Sequence, residues 1–289
     1  MIDLDTMRRL VGLHTGIPEP VYRSWPAVNF STYLKKHRSM AHLHYAASNP
    51  APAKKAQTFG IAYHMAVFES KRFAKEVAIA PSVDRRTKDG KAAWAEFLAK
   101  SEGMTIIEED EAFAIGAMMA ALNAHPTIRK LIGAEGPCEA AVVWIDEETQ
   151  LPCKARLDKF LPGVLALDLK STTDASPVGW PFNANRWNYD QQAAHYYDGF
   201  STVAEPTPFC FIAQESEPPY AAALWTPDDE TVAVGRTKNR AALRRIAECV
   251  KSGVWPGYSE KVERFRLPEW AMNTNPEGLP KVDDAEHPF

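Results

Sequence analysis

The chain has 289 residues, 45% of them hydrophobic and 24% charged, with eight tryptophans and thirteen phenylalanines. That is enough apolar mass to bury one elaborated domain or two, and it excludes a disordered protein. A net charge of −4 does not suit a small, uniformly basic nucleic-acid module; no apolar run approaches the ~20 residues of a membrane span and no leader opens the chain, so a cytoplasmic protein is expected.

Residues 1–30 carry prolines at positions 18, 20 and 26 and show no pattern of a core element. Ser31 is positioned to cap a helix over 31–47, which Pro50 and Pro52 end. Further helices are expected over 58–68, 91–100 and 108–131. Between the first two of these, the polar stretch 84–91 reads as a flexible basic loop. From residue 137 the apolar period changes to that of strands. Glu139 opens an apolar run to 145, residues 146–150 form a polar turn, 151–161 return, and Gly163 turns the chain into a third strand over 164–173. A helix over 187–198 follows, and then strands over 207–214 and 220–225 flank Glu217, Pro218 and Pro219. Thr226 as N-cap and Pro227 at the first position open a long helix to 250. The tail from Gly253 is rich in proline and charge and is expected to wrap the surface or stay partly disordered. There are no internal repeats. The chain divides into an extension (1–30), a domain (31–252) with a helical part (31–135) and a sheet core (136–252), and a tail (253–289).

The chemistry concentrates on the three middle strands. Side chains two apart on a strand share a face, so Asp168 and Lys170 project together while Leu165, Leu167 and Leu169 project opposite. Ten residues upstream, Asp158 shares its face with Arg156 and Lys154, and Cys153, Ala155 and Leu157 share the other. Each strand thus delivers an acid: Glu139, Asp158, Asp168. Two acids and a lysine are the parts of a metal-dependent phosphodiesterase. A divalent cation neutralises the anionic centre and makes a nucleophile of water. Mg²⁺ keeps several waters, so two or three carboxylates suffice. Taken singly, Asp-x-Lys is also a common surface ion pair, and Glu139 is as much a strand-edge solubiliser. On the helix over 187–198, Gln192 and Tyr196 are four apart and share a face, from which both could contact a phosphate or the attacking water; an ordinary amphipathic helix fits equally. Cys138, Cys153, Cys210 and Cys249 are widely spaced, with no Cys-x-x-Cys pair, which disfavours a zinc ribbon and fits free thiols in a reducing compartment.

In series, these motifs resemble the PD-(D/E)xK nuclease superfamily, and more narrowly the exonuclease VIII (RecE-type) family of phage and prophage recombination exonucleases. The resemblance runs over about residues 30 to 250. It begins at the glycine-to-histidine stretch 59–69 with Gly60 and His64, and includes the basic stretch 84–91. It continues through Cys138 and Glu139, Cys153 to Asp158, Asp168 to Thr173, and Gln192 to Tyr196. One departure is Leu157, where a proline would precede the acid.

The resemblance implies an α/β, restriction-endonuclease-like core. The element order here reads as a five-stranded mixed sheet flanked by helices, with a helical N-terminal elaboration. It implies metal binding by Asp158 and Asp168, with the Leu169 carbonyl as a further ligand, and a water-holding Lys170. Gln192 and Tyr196 match the motif that supports the site. Glu139 and His64 match upstream site residues, although His64, among Ile61, Ala62, Met65 and Val67, also suits a buried core histidine. Arg85, Arg86, Lys88 and Lys91 are candidates for a DNA channel, as are Arg156 and the cationic stretch 236–245; each also reads as a solvated face. The implied activity is Mg²⁺-dependent (Mn²⁺ substituting) digestion of linear double-stranded DNA from the 5′ end. The implied partners are DNA ends, a single-strand annealing recombinase and further copies of the chain in a ring. Two other readings stay open: a structure-specific endonuclease or CRISPR-adaptation-type nuclease on the same core, and a non-catalytic DNA-binding protein on a decayed one.

Overall fold

A computed structural model of the chain describes residues 2–35, 37–49, 55–203 and 207–272. The first thirty residues, expected to lack a core element, form α1 (Leu4–Arg8), β1 (Gly12–His14) and α2 (Glu19–Ser24). These pieces are too short to show a period, and long-range contacts hold them. A π-helical turn, Phe30–Leu34, precedes α3 (Met40–Ser48), so the single helix expected over 31–47 is split. Its cap is Ser39, which accepts from the His42 amide, rather than Ser31. Pro50 and Pro52 lie outside the described residues.

Next come α4 (Lys55–Phe68), α5 (Ser70–Glu76), β2 (Val77–Ile79), α6 (Lys88–Lys100) and β3 (Thr105–Ile107). β2 and β3 pair in parallel as a small separate sheet that three-residue stretches cannot announce. The Thr87 hydroxyl accepts from the Gly90 amide at 3.0 Å and starts α6 at Lys88. The stretch 84–91 is therefore a turn and a first helical turn, not a flexible loop. Pro126 divides the helix expected over 108–131 into α7 (Glu109–Ala124) and α8 (Pro126–Gly133), because its ring removes a donor that only a helix start can spare.

β4 (Cys138–Ile145), β5 (Pro152–Leu161) and β6 (Leu165–Thr172) fall on the expected strands. α9 (Gly179–Trp187) was not expected; Asn188, with φ 57°, separates it from α10 (Tyr189–Phe200). Then follow β7 (Phe209–Glu215), β8 (Ala222–Trp225), α11 (Asp229–Ser252) and α12 (Glu269–Met272). Asp228, not Thr226, caps α11 by accepting from the Thr231 amide at 2.8 Å. Of the tail, 253–268 runs over the surface with Trp255 stacked on His44; 273–289 lies outside the described residues.

The main sheet runs β1-β4-β5-β6-β7-β8, antiparallel except for the parallel pair β6 and β7. It has six strands rather than five because β1 adds an edge to β4. A parallel step needs a crossover, and α9 with α10 supplies it. That crossover lays α10 on the sheet face that Asp168 uses.

One face carries Ala140, Val142, Trp144, Leu157 and Phe160 against Ala193, Tyr196 and Phe200 of α10 and Leu243 and Ile246 of α11. On the other, Leu167, Leu169 and Ile212 pack on α4 and α7 through Met65, Met118 and Leu122. Beside them, Met7, Tyr22, Trp25 and Ala27 cover Ala141 and Val143, so the N-terminal segment completes this second layer. Each large side chain fully buried this way contributes about 1.5–3 kcal/mol. Cys138, Cys153, Cys210 and Cys249 are all free thiols. Among the described residues, no helix is long and apolar enough to cross a membrane.

His195 ties α10 to β5. Its Nε2–H donates to the Lys154 carbonyl at 3.0 Å, and its ring lies 4.7 Å from the Trp144 ring. Burial pushes its pKa down to about 4 from an ordinary 6.5. The unfolded chain therefore binds the proton first, and this contribution to stability is complete above pH 6.5 and lost as pH falls toward 4. Chemical denaturation at about pH 7.5 and pH 4.5 should show His195→Gln losing about 2–3 kcal/mol less stability on acidification than the wild type. Equal losses in both proteins would show that His195 does not set the acid sensitivity.

Candidate active site

Two irregularities in the sheet create the site. The β5–β6 ladder pairs Leu161 with Leu165, Phe160 with Ala166 and Lys159 with Leu167, and stops there. Asp158 and Asp168 are the next positions, where the strands part. Across the sheet, Cys138 pairs with Lys159 and Ala140 with Leu157, flanking Glu139 and Asp158. Ala140 and Leu157 face α10, but Cys138 Sγ donates to the Phe68 carbonyl (3.3 Å) and Lys159 Nζ to the Ile132 carbonyl (3.2 Å) on the opposite layer. Two residues along a regular strand share a face; here the face inverts within that step. Glu139 carries the inversion in a left-handed conformation, φ 53°, which costs a non-glycine residue about 1 kcal/mol or more.

The side chains then interlock. Asp168, 2% exposed, pairs with the Lys170 ammonium. Its Oδ1 accepts from Gln192 Nε2 at 3.1 Å and from the Tyr196 hydroxyl at 3.3 Å, and the Gln192 amide also donates to Tyr196 Oη at 2.8 Å. Asp158 Oδ2 accepts from the Leu169 amide at 2.6 Å, and its Oδ1 lies 3.3 Å from His64 Nδ1. Glu139 Oε2 accepts from Arg156 Nε at 2.7 Å. A groove of about 860 Å³ opens over this cluster, lined by His64, Glu139, Arg156, Asp158, Gln192 and Tyr196; Asp168 and Lys170 are not part of that lining.

The carboxylates do not titrate alike. Burial and repulsion from Asp158 push Glu139 up to about 7, with Arg156 opposing. Burial and the same repulsion raise Asp168 against the pull of Lys170. Burial works against ionisation of Asp158 too, but His64 and Lys170 outweigh it and hold its carboxyl below the usual range. For Lys170, burial disfavours the charge, yet Asp168 and its neighbours raise the pKa, so the ammonium persists at neutral pH. His64 follows the same balance: burial lowers, Asp158 raises, and the net shift is upward.

Among the described residues, no three His, Cys, Asp or Glu side chains converge as a ready metal cage. The donor set nevertheless fits a divalent cation that brings its own waters. Burial, with repulsion from Asp158 added, makes Glu139 and Asp168 resist ionisation, and a cation would offset both effects. Among the described residues, Gln192 Oε1 is a buried acceptor without a donor, and the bonds of the amide nitrogen to Asp168 and Tyr196 fix it in that orientation.

The structure therefore brings Glu139, Asp158, Asp168, Lys170, Gln192, Tyr196, His64 and Arg156 together, with Leu169 contributing its amide. Gln192 and Tyr196 grip Asp168. The other cationic candidates fall elsewhere. Arg85 lies 3.4 Å over the Trp94 ring and pairs with Glu108, Arg86 pairs with Asp84, and neither they nor Lys88 line the groove. In the stretch 236–245, Arg236 pairs with Asp198, Lys238 with Asp190, Arg240 with Asp146 and Arg244 with Glu148, so these cations are occupied by the protein's own acids. Sequence reasoning missed Glu19 and Tyr22 of α2, which line the groove. No local signal marks them, since what brings them there is Lys154, whose ammonium donates to the Tyr22 and Trp25 carbonyls at 2.7 Å each.

Comparison with known proteins agrees with this fold. A solved structure from Eubacterium rectale, named "Putative exonuclease", shares the fold, with a TM-score of 0.56 over 83% of this chain and 87% of that one at 13% identity. No curated protein matches. Residues 30–268 match the family described as "PDDEXK-like domain of unknown function (DUF3799)". A six-stranded, mostly antiparallel sheet with acids where its central strands part, matched to that family over most of its length, makes this chain a member of the PDDEXK-like family.

Proposed function

We propose that this protein is a divalent-metal-dependent exodeoxyribonuclease acting on linear double-stranded DNA. The observation that carries the reading is the closed Asp158–Asp168–Lys170 cluster at the parting of β5 and β6, with Asp168 fixed by Gln192 and Tyr196. PD-(D/E)xK nucleases generally use divalent metals. Asp158 and Asp168 would hold the ion here, with the Leu169 carbonyl, and with Glu139 and His64 binding it or its waters. Bound metal would supply charge neutralisation at the phosphate and a nucleophile from water. Lys170, whose ammonium Asp168 stabilises, orients the water or stabilises charge on the phosphate.

The finer reading is Mg²⁺, with Mn²⁺ able to replace it, 5′-to-3′ digestion that leaves 3′ single strands, and a cytoplasmic role beside an annealing recombinase in phage-type recombination. A ring of copies threaded by DNA belongs to the same proposal. End-labelled linear duplex, with a closed circular control, tests it in Mg²⁺, in Mn²⁺ and in chelator. Metal-dependent loss of 5′ label on linear DNA alone is the expected result. Nicking of circles would replace the exonuclease by an endonuclease, and binding without turnover would favour the decayed-nuclease reading.

A further inference from the structure

Among the described residues, four Lys and Arg side chains line the groove; two are committed to the scaffold and one lies at the rim. Lys154 caps the carbonyl end of α2. Arg72 is held by Glu69 at 2.7 Å and Glu76 at 2.9 Å. Arg23 sits at the rim with its side chain 69% exposed. The fourth, Arg156, is two residues from Asp158 on the same strand and only 17% exposed. Its guanidinium lies 4.7 Å over the Tyr22 ring, which stacks it in place. Arg156 Nε binds Glu139 at 2.7 Å, whereas its Nη2 meets Glu19 Oε2 at a looser 3.4 Å. Glu19 has a second partner, Arg23 Nε at 2.6 Å, so leaving Arg156 would not strand its charge. Glu19 also precedes the family match at 30–268 and belongs to this chain's own N-terminal wall.

We propose that Arg156 is the phosphate-binding cation of the groove, and that Glu19 is a built-in stand-in on its outer face which a DNA phosphate next to the scissile one displaces. Glu19 thereby lowers DNA affinity and sets how readily the groove accepts the strand. A guanidinium presents paired donors that suit phosphate as well as carboxylate, so one anion replaces the other without reorganising the site. Because α2 is anchored to β5 by Lys154, only the Glu19 side chain needs to move. This inference rests on the nuclease reading.

The test is equilibrium binding of a short fluorescently labelled duplex, without divalent metal, across a salt series. Glu19→Gln should tighten binding about five-fold at low salt, a gain that salt erodes. Arg156→Met should weaken it by about ten-fold or more and reduce the slope of log affinity against log salt by about 0.9, one phosphate contact. In the Arg156→Met background, Glu19→Gln should add nothing. Unchanged or weaker binding by Glu19→Gln overturns the proposal, as does a gain that persists without Arg156. If Arg156→Met fails to fold, Arg156→Gln takes its place in the same cycle, and a Glu19→Gln gain undiminished there overturns the proposal. Cleavage is scored in parallel with Mg²⁺, where Glu19→Gln should lower KM. A wild type that binds but never cleaves sinks the nuclease reading and leaves the binding test standing, whereas a wild type that binds no DNA overturns both.

Discussion

Asp168→Ala is expected to lose about a thousand-fold or more of the metal-dependent hydrolysis of linear duplex DNA while remaining folded. The size follows from how much converges on one carboxylate. Asp168 pairs with Lys170 through one oxygen and accepts from Gln192 and Tyr196 through the other. Under the proposed function, alanine removes a carboxylate that would hold the ion, and it frees the lysine at once. The same substitution leaves the Lys170 charge buried and unpaired, a cost of about 3 kcal/mol, offset in part because repulsion with Asp158 disappears. Asp168→Asn preserves volume and an acceptor for Gln192 and Tyr196 but sets an amide donor against the Lys170 ammonium, so it should be as inactive and avoid only the cavity part of the stability loss. Digestion of end-labelled DNA, with circular dichroism of each variant, reads both. Hydrolysis that survives in folded Asp168→Ala would mean that the catalytic acids lie elsewhere.

Gly235→Ala should destabilise the protein by about 3 kcal/mol, despite alanine's better helix propensity. At position 235, α11 crosses α10 backbone to backbone. A Cβ there would lie 2.1 Å from the Asp190 carbonyl oxygen and 2.5 Å from its carbon, and neither is a flexible side-chain end that can swing away. Alanine must push the helices apart, loosening the buried bonds between Gln191 and Asn239 (3.0 and 2.9 Å). α10 also carries Gln192, so the damage should reach activity through the grip on Asp168. Urea unfolding measures the stability loss; a change within about 0.5 kcal/mol would show that the crossing tolerates a methyl group. A loss of that size matters against a typical total of about 5–15 kcal/mol.

Most of the site was legible because strand and helix periods are local. Alternation alone puts Asp168 with Lys170, and Lys154 with Arg156 and Asp158; the four-residue helical repeat puts Gln192 with Tyr196. Prolines and caps were less reliable where two candidates competed. Ser39 displaced Ser31 and Asp228 displaced Thr226, since a cap works only where the chain enters the helix extended. The surroundings of the cationic stretches were not legible for another reason: a run of arginines says nothing about which acids the fold will bring to it, and four cations of 236–245 meet acids from distant turns and helices.

Local order sets which residue types share a strand or helix face, and with them the acid–acid–lysine set. Long-range packing is what inverts the face of β4 at Glu139, crosses α10 back to fasten Asp168, walls the groove with the N-terminal segment and sets Glu19 on Arg156. The reason is range. Periodicity is a property of neighbours a few residues apart, whereas the Lys154 ammonium meets the Tyr22 carbonyl across 132 positions, and no local pattern carries a contact that far.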